Sequence, residues 1–158
     1  MVQFSILLRS ILHNIGVFLV GLAVAYAGTR VDSLFGLAPI SLPLARLAAW
    51  LLLAAGFLTR VWATVYFYAR DMRVISLVPP KKLITSGPYR FSRNPLYLGG
   101  NVFTFFGAAL LLGSPAAILA TALHIPLVNL MIRREEAQLE DEFGEEWRRY
   151  KKRVRRWI

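Results

Sequence analysis

The sequence contains no cysteine, which excludes disulfide bridges, thiol nucleophiles and zinc–thiolate centres. Its two histidines, His13 and His124, lie too far apart in sequence to suggest a metal site, and no metal is expected. Acids are scarce: nine Asp and Glu stand against 19 Lys and Arg, for a net charge of +10. Charge of either sign is sparse, at 18% of residues, where a soluble domain averages about 25%. No Gly-rich phosphate loop of the Walker type and no G-x-G-x-x-G occurs, and local spacing assembles no Ser-His-Asp set. There is no internal repeat and no low-complexity tract. What the chain has instead is apolar residues, 56% of the total, gathered into runs. That pattern describes an integral membrane protein, a single domain over residues 1–158. The basic residues flank the apolar runs, where lipid phosphates and the positive-inside bias account for them, so nucleic acid is not an expected partner.

The runs predict an all-α membrane fold with about four transmembrane helices, over about residues 11–28, 44–68, 95–112 and 116–132. Each is close to the ~20 residues that cross a ~30 Å hydrocarbon core. The first follows Arg9 and ends at Ala25-Tyr-Ala27, which suits a membrane anchor first and, as the alternative, a cleaved signal peptide. His13 and Asn14 near its start read as interfacial polar groups. The second contains Arg60, which either snorkels toward the nearby interface beside Trp62, Tyr66, Phe67 and Tyr68 or contacts an anionic group of a substrate. The third carries Gly99, Gly100 and Gly107, which permit close helix packing. Gly113-Ser-Pro115 then predicts a tight reversal into an antiparallel fourth helix. His124 and Pro126 are expected to break the interior of that helix, with His124 as a packing hydrogen bonder or an acceptor-site residue.

The loop 69–94 holds Arg70, Arg73, Lys81, Lys82, Arg90 and Arg93 against Asp71, which places it in the cytoplasm by the positive-inside rule. Four spans then put both termini on the same side, in a multi-pass protein expected in a prokaryotic cell membrane. From Arg133 onward the tail carries nine Lys and Arg and seven acids. Within it Leu139, Phe143, Trp147, Tyr150, Val154 and Trp157 recur at helical spacing, predicting a cytoplasmic C-terminal amphipathic helix at the interface.

The stretch Leu83 to Tyr97 is turn-rich, cationic and aromatic, with Gly87-Pro88 and Asn94-Pro95 as turn dipeptides. A tight hairpin of the third and fourth helices brings Asn94-Pro95 within one helix-packing distance, about 8–10 Å, of Glu135-Glu136. Paired glutamates after a membrane helix can simply be a solvated face. Beside this loop they offer carboxylates for an ammonium or a ribose diol, with guanidinium groups for a carboxylate and tyrosine rings for a sulfonium or a purine. Those complementary groups all occur on S-adenosyl-L-methionine.

At these residues the sequence resembles the isoprenylcysteine carboxyl methyltransferase and phospholipid methyltransferase superfamily of integral membrane enzymes. The matching features are Leu83-x-Thr-Ser-Gly-Pro-Tyr89, Arg93-Asn-Pro-x-Tyr97, Glu135-Glu136, and Glu140-x-x-Phe-Gly-Glu-Glu-Trp-x-x-Tyr-Lys-Lys-Arg-Val154. They cover about residues 70–158. The resemblance implies a helical membrane fold that binds S-adenosyl-L-methionine over about residues 81–97 and 133–150. The cofactor-binding residues it implies are Lys81, Lys82, Leu83, Ile84, Tyr89, Asn94, Pro95, Leu96, Tyr97 and Glu135, to which the flanking Arg93 and Glu136 are added. Two departures bear on the acceptor. Asn94 stands where the carboxyl methyltransferases have histidine, and it cannot carry a proton. Met131 stands where that branch places a substrate-binding arginine. Arg60, His124 and Met131 are therefore the candidate acceptor-site positions, and no residue is assigned as a general base.

The expected function is S-adenosyl-L-methionine-dependent methyl transfer to a lipophilic acceptor at the cytoplasmic face. Prenylcysteine-like carboxylates, phospholipid amines and similar small molecules all fit. The alternatives are a sterol-reductase-like membrane oxidoreductase using a nicotinamide cofactor and a non-enzymatic lipid-binding membrane protein.

Overall fold

The computed structural model describes residues 3–72, 74 and 82–158; Lys81 lies outside them. Among the described residues every regular element is helical. Helix α1 spans Phe4–Phe35 and α2 spans Pro43–Tyr68. A 3₁₀ turn, Gly87–Arg90, precedes a composite third helix: α3 (Pro95–Tyr97), a π-helical segment (Leu98–Thr104) and α4 (Phe105–Leu111). Helix α5 spans Pro115–Arg153. Helices α1, α2 and α5 are long and apolar enough to cross a membrane, while the composite helix Pro95–Leu111 is shorter.

The helices bury small and polar residues and turn their large apolar ones outward. On α1 the buried positions are Ser10, Asn14, Gly21, Ala25, Gly28 and Asp32; on α2 they are Ala49, Leu53, Gly56, Arg60, Ala63 and Thr64. Apart from the adjacent Ala63 and Thr64, both sets recur every three, four or seven residues, one stripe of a helix. Leu19, Leu51, Leu123 and Leu127 are exposed on the outside. In lipid no hydrophobic force drives helices together, so close backbone approach and buried hydrogen bonds must do it. Gly56 and Gly99 show how close. A Cβ on Gly99 would lie 2.8 Å from the Gly56 carbonyl oxygen and 2.8 Å from Arg60 Cγ.

The hairpin between the composite third helix and α5 forms as the Gly113-Ser-Pro115 signal predicts. Gly113 takes φ +62°, Ser114 caps α5 by accepting from the Ala117 amide, and Pro115 starts the helix. Buried Asp32 of α1 reinforces this cap. It accepts from the Ser114 hydroxyl at 2.5 Å and from the Ala116 amide at 2.8 Å.

Two local expectations are corrected and a third is sharpened. Helix α5 continues through His124 and Pro126 instead of breaking there, and leaves helical geometry only at Gly144, with φ 49° and ψ −119°. Asn14, read as an interfacial polar group, is enclosed by the protein and only 1% exposed. Arg60 does not snorkel. It donates from Nε to Asn14 Oδ1 at 2.7 Å and from Nη1 to the Leu96 carbonyl at 2.7 Å, with Nη2 3.4 Å from His13 Nε2. A membrane arginine is costly unless its donors are met inside the protein, and α1 and α3 supply the acceptors.

The tail is also folded differently from one straight amphipathic helix. Glu136 and Arg156 would be about 30 Å apart on a continuous helix. They are ion-paired at 2.6 Å. The chain therefore turns back at Gly144, and residues 145–158 form an arm lying along the end of the bundle. Trp147 and Tyr150 face inward from it, 1% and 2% exposed.

Candidate cofactor site

Three segments meet at this end of the bundle: residues 82–97, the stretch of α5 just beyond Ile132, and the arm. Pro88 and Pro95 fix φ at the starts of the 3₁₀ turn and of α3. Gly87 adopts φ +61°, and a side chain there would run into the Tyr66 ring. The loop is thus held in a shape that glycine permits. Arg70 pins its start, reaching the Ser86 hydroxyl at 3.3 Å.

The two glutamates face different surroundings. Tyr97 donates its hydroxyl to Glu135 Oε1 at 2.5 Å. Burial raises the Glu135 carboxyl above its ordinary value, and the Tyr97 hydrogen bond opposes the shift. Glu136 is 5% exposed and sits between two guanidinium groups. Arg93 donates to its Oε1 from Nε at 3.0 Å and Nη2 at 2.8 Å, and Arg156 donates to its Oε2 from Nη2 at 2.6 Å. Burial would raise the Glu136 carboxyl, but the bonds from Arg156 and Arg93 outweigh it and hold the group below its usual range.

Arg93 is the hub of the arm contact. Its backbone amide donates to the Arg155 carbonyl at 2.9 Å, its Nη1 reaches the Lys151 and Val154 carbonyls, and its guanidinium lies 5.7 Å from the Trp147 ring centroid. Ser92 Oγ and Asn94 Nδ2 both donate to the Arg156 carbonyl at 3.2 Å. Tyr150 donates its hydroxyl to the Tyr89 carbonyl at 2.7 Å. The Tyr89 side chain is 7% exposed and packs with Ile84, Met72 and Phe67. Its own hydroxyl is buried without a hydrogen-bond partner among the described residues, as is Trp147 Nε1. Buried polar groups are ordinarily paired, and these two enclosed donors are exceptions beside the loop and the arm.

The structure thus gathers Ile84, Tyr89, Arg93, Asn94, Pro95, Leu96, Tyr97, Glu135 and Glu136 into one region, with Leu83 half-buried and Lys82 exposed beside it. The acceptor-site candidates disperse. Arg60 is committed to Asn14 and Leu96. His124 Nε2 lies 3.0 Å from Asn101 Oδ1, and its ring stacks on Phe105. Met131 is 53% exposed on the outer surface. Trp147, Tyr150 and Arg156 contact this region and were not named among the binding residues from sequence, although Trp147 and Tyr150 fall within the 133–150 stretch. Gly144, inside an otherwise helical stripe, was the one available sign that these residues turn back.

An uncharacterized protein from Haemophilus influenzae is 48% identical to this chain over 48 residues, 30% of this chain and 76% of its own length. No solved structure matches. The model of the family described as phospholipid methyltransferase matches residues 44–146, from the start of α2 to just past the Gly144 corner. With apolar helices that can cross a membrane and this match over more than half of its length, the chain belongs to the phospholipid methyltransferase family of membrane methyltransferases.

Proposed function

We propose that the protein transfers a methyl group from S-adenosyl-L-methionine to a lipophilic acceptor at the cytoplasmic face of the membrane. The observation that carries this reading is the Tyr97–Glu135 pair, at the end of the bundle that also encloses the unpartnered Tyr89 hydroxyl. The donor set suits the cofactor. Glu135 offers acceptor oxygens for an ammonium or a ribose diol, Tyr89 a hydroxyl donor, and Ile84 and Leu96 an apolar wall. When bound, S-adenosyl-L-methionine supplies an electrophilic methyl on a sulfonium sulfur.

The chain's own residues bind, align and exclude water, and alignment alone is worth several kcal/mol in a bimolecular displacement. Glu135 and Tyr97 fix one another. Arg93 and Glu136 act as positioning residues, because their polar atoms hold the arm over the loop. Asn94 keeps its Oδ1 available while its Nδ2 holds the arm. Lys81 and Lys82 belong to the proposed site as its basic margin. The family favours a phospholipid acceptor. Met131 lies where a carboxylate-binding arginine would otherwise stand, and an amine acceptor needs no such cation.

The test is radiolabelled methyl transfer by purified protein in lipid nanodiscs. Label should appear in aminophospholipid and not in a prenylcysteine analogue, and the rate should fall at least about a hundredfold in Glu135→Ala. Label in neither acceptor class would overturn the reading.

A further inference from the structure

We propose that the arm carries a second site, adjoining the candidate cofactor region and sharing Tyr150 with it, which takes the phosphate headgroup of an anionic phospholipid. Residues 145–153 divide their cations between two edges. On one, Arg148 pairs with Glu140 and Glu145 at 3.0 and 2.8 Å, and Lys151 pairs with Glu140 at 3.3 Å. On the other, Arg149, Lys152 and Arg153 have no ion-pair partner among the described residues. These three cations line a cavity of about 500 Å³ together with Thr85, Tyr150 and a single acid, Glu146. Three positive charges against one negative suit an anion, and the Thr85 hydroxyl and the guanidinium forks suit phosphate oxygens.

The level of the cavity favours a lipid as the source of that phosphate. Tyr150, in its wall, is bonded to Tyr89, six residues before the start of the third membrane helix at Pro95. Arg156 is bonded to Glu136, four residues beyond the buried apolar Ile132. The cavity thus sits where two apolar helices end, at the depth of headgroups. Trp62 and Phe91 mark the same layer: they are 46% and 67% exposed, and their rings are 6.1 Å apart. Aromatic side chains collect at this boundary. Anionic headgroups attract basic residues held near the surface, and a preformed cavity makes that attraction local.

The matched edges supply the control. Arg149→Gln/Lys152→Gln and Arg148→Gln/Lys151→Gln each remove one arginine and one lysine, all at exposed positions, so net charge falls equally. Equilibrium retention of radiolabelled phosphatidylglycerol, against phosphatidylcholine, is measured on delipidated full-length protein in uncharged detergent. The wild type should retain phosphatidylglycerol in preference. The cavity-edge pair should weaken retention about thirtyfold. The paired-edge control should weaken it by no more than about threefold, the general surface effect. Equal losses in the two variants, or no headgroup preference, would overturn the site. Full displacement of the lipid by millimolar inorganic phosphate would overturn the lipid assignment in favour of a free anion. None of these readouts involves methyl transfer, so failure here and failure of the methyl-transfer reading are separable.

Discussion

Glu135 and Glu136 are adjacent in sequence and opposite in environment. Consecutive residues on a helix do not share a face, so one carboxyl meets Tyr97 while the other meets Arg93 and Arg156. Removing the charge at Glu136 strands two cations, of which the Arg93 side chain is 8% exposed. Glu136→Gln should therefore destabilise the protein by about 3 kcal/mol, measured by thermal unfolding in detergent. It should also change the acid limb of the stability profile. The folded Glu136 carboxyl is held low, so its contribution is complete above the ordinary value of 4.5 and is lost as pH falls through the folded value. The wild type should lose stability in that acid range, and the variant should show a flatter decline. Glu135 works in the other direction: its raised carboxyl favours the protonated form, and its contribution fades as pH rises through the folded value. The Glu-Glu pair and its closeness to the loop were legible in the sequence. Their division of labour was not, because it depends on Arg156, which reaches Glu136 only after the chain has turned around.

Among the elements, α5 and its corner carry the largest departure from a one-dimensional reading. Leu139, Phe143, Trp147, Tyr150, Val154 and Trp157 keep helical spacing through Gly144, so periodicity alone joins them into one straight face. The fold divides that face. Gly144 takes φ 49° and ψ −119°, the corner geometry of a type II′ turn, which favours glycine. A Cβ there meets nothing within 4 Å, so the cost of Gly144→Ala is backbone strain rather than a clash. That strain, about 1–2 kcal/mol, should loosen the arm. Limited proteolysis after residue 144 should accelerate in Gly144→Ala, while the membrane helices stay protected. The apolar runs themselves were readable, since length and hydropathy decide them. Arg60 was not. Whether a membrane arginine snorkels or is buried depends on Asn14, on another helix, and on the Leu96 carbonyl at the start of the composite third helix. That helix widens into a π segment at Gly99 and Gly100, where it packs on Arg60, and Thr104 donates its hydroxyl to the Gly99 carbonyl at 2.8 Å.

At the scale of the whole molecule, an inside-out bundle supports a polar end. Small and hydrogen-bonding residues bind the helices together, large apolar ones face outward, and the chemistry-bearing residues collect where two helices end. Helix α1 lies outside the region matched by the family, yet it is built into this frame through Asn14 with Arg60 and Asp32 with Ser114. Through Arg60 and the Leu96 carbonyl, the membrane core is linked to the backbone beside Tyr97. The central claim is that Tyr97 and Glu135 form the heart of an S-adenosyl-L-methionine site, and calorimetric titration of the purified protein with S-adenosylhomocysteine tests it most directly. The account predicts binding to the wild type, at least about tenfold weaker binding in Tyr97→Phe and Glu135→Ala, and unchanged binding in Met131→Ala. Absence of binding heat in a folded wild type, or full affinity in both site variants, would contradict it.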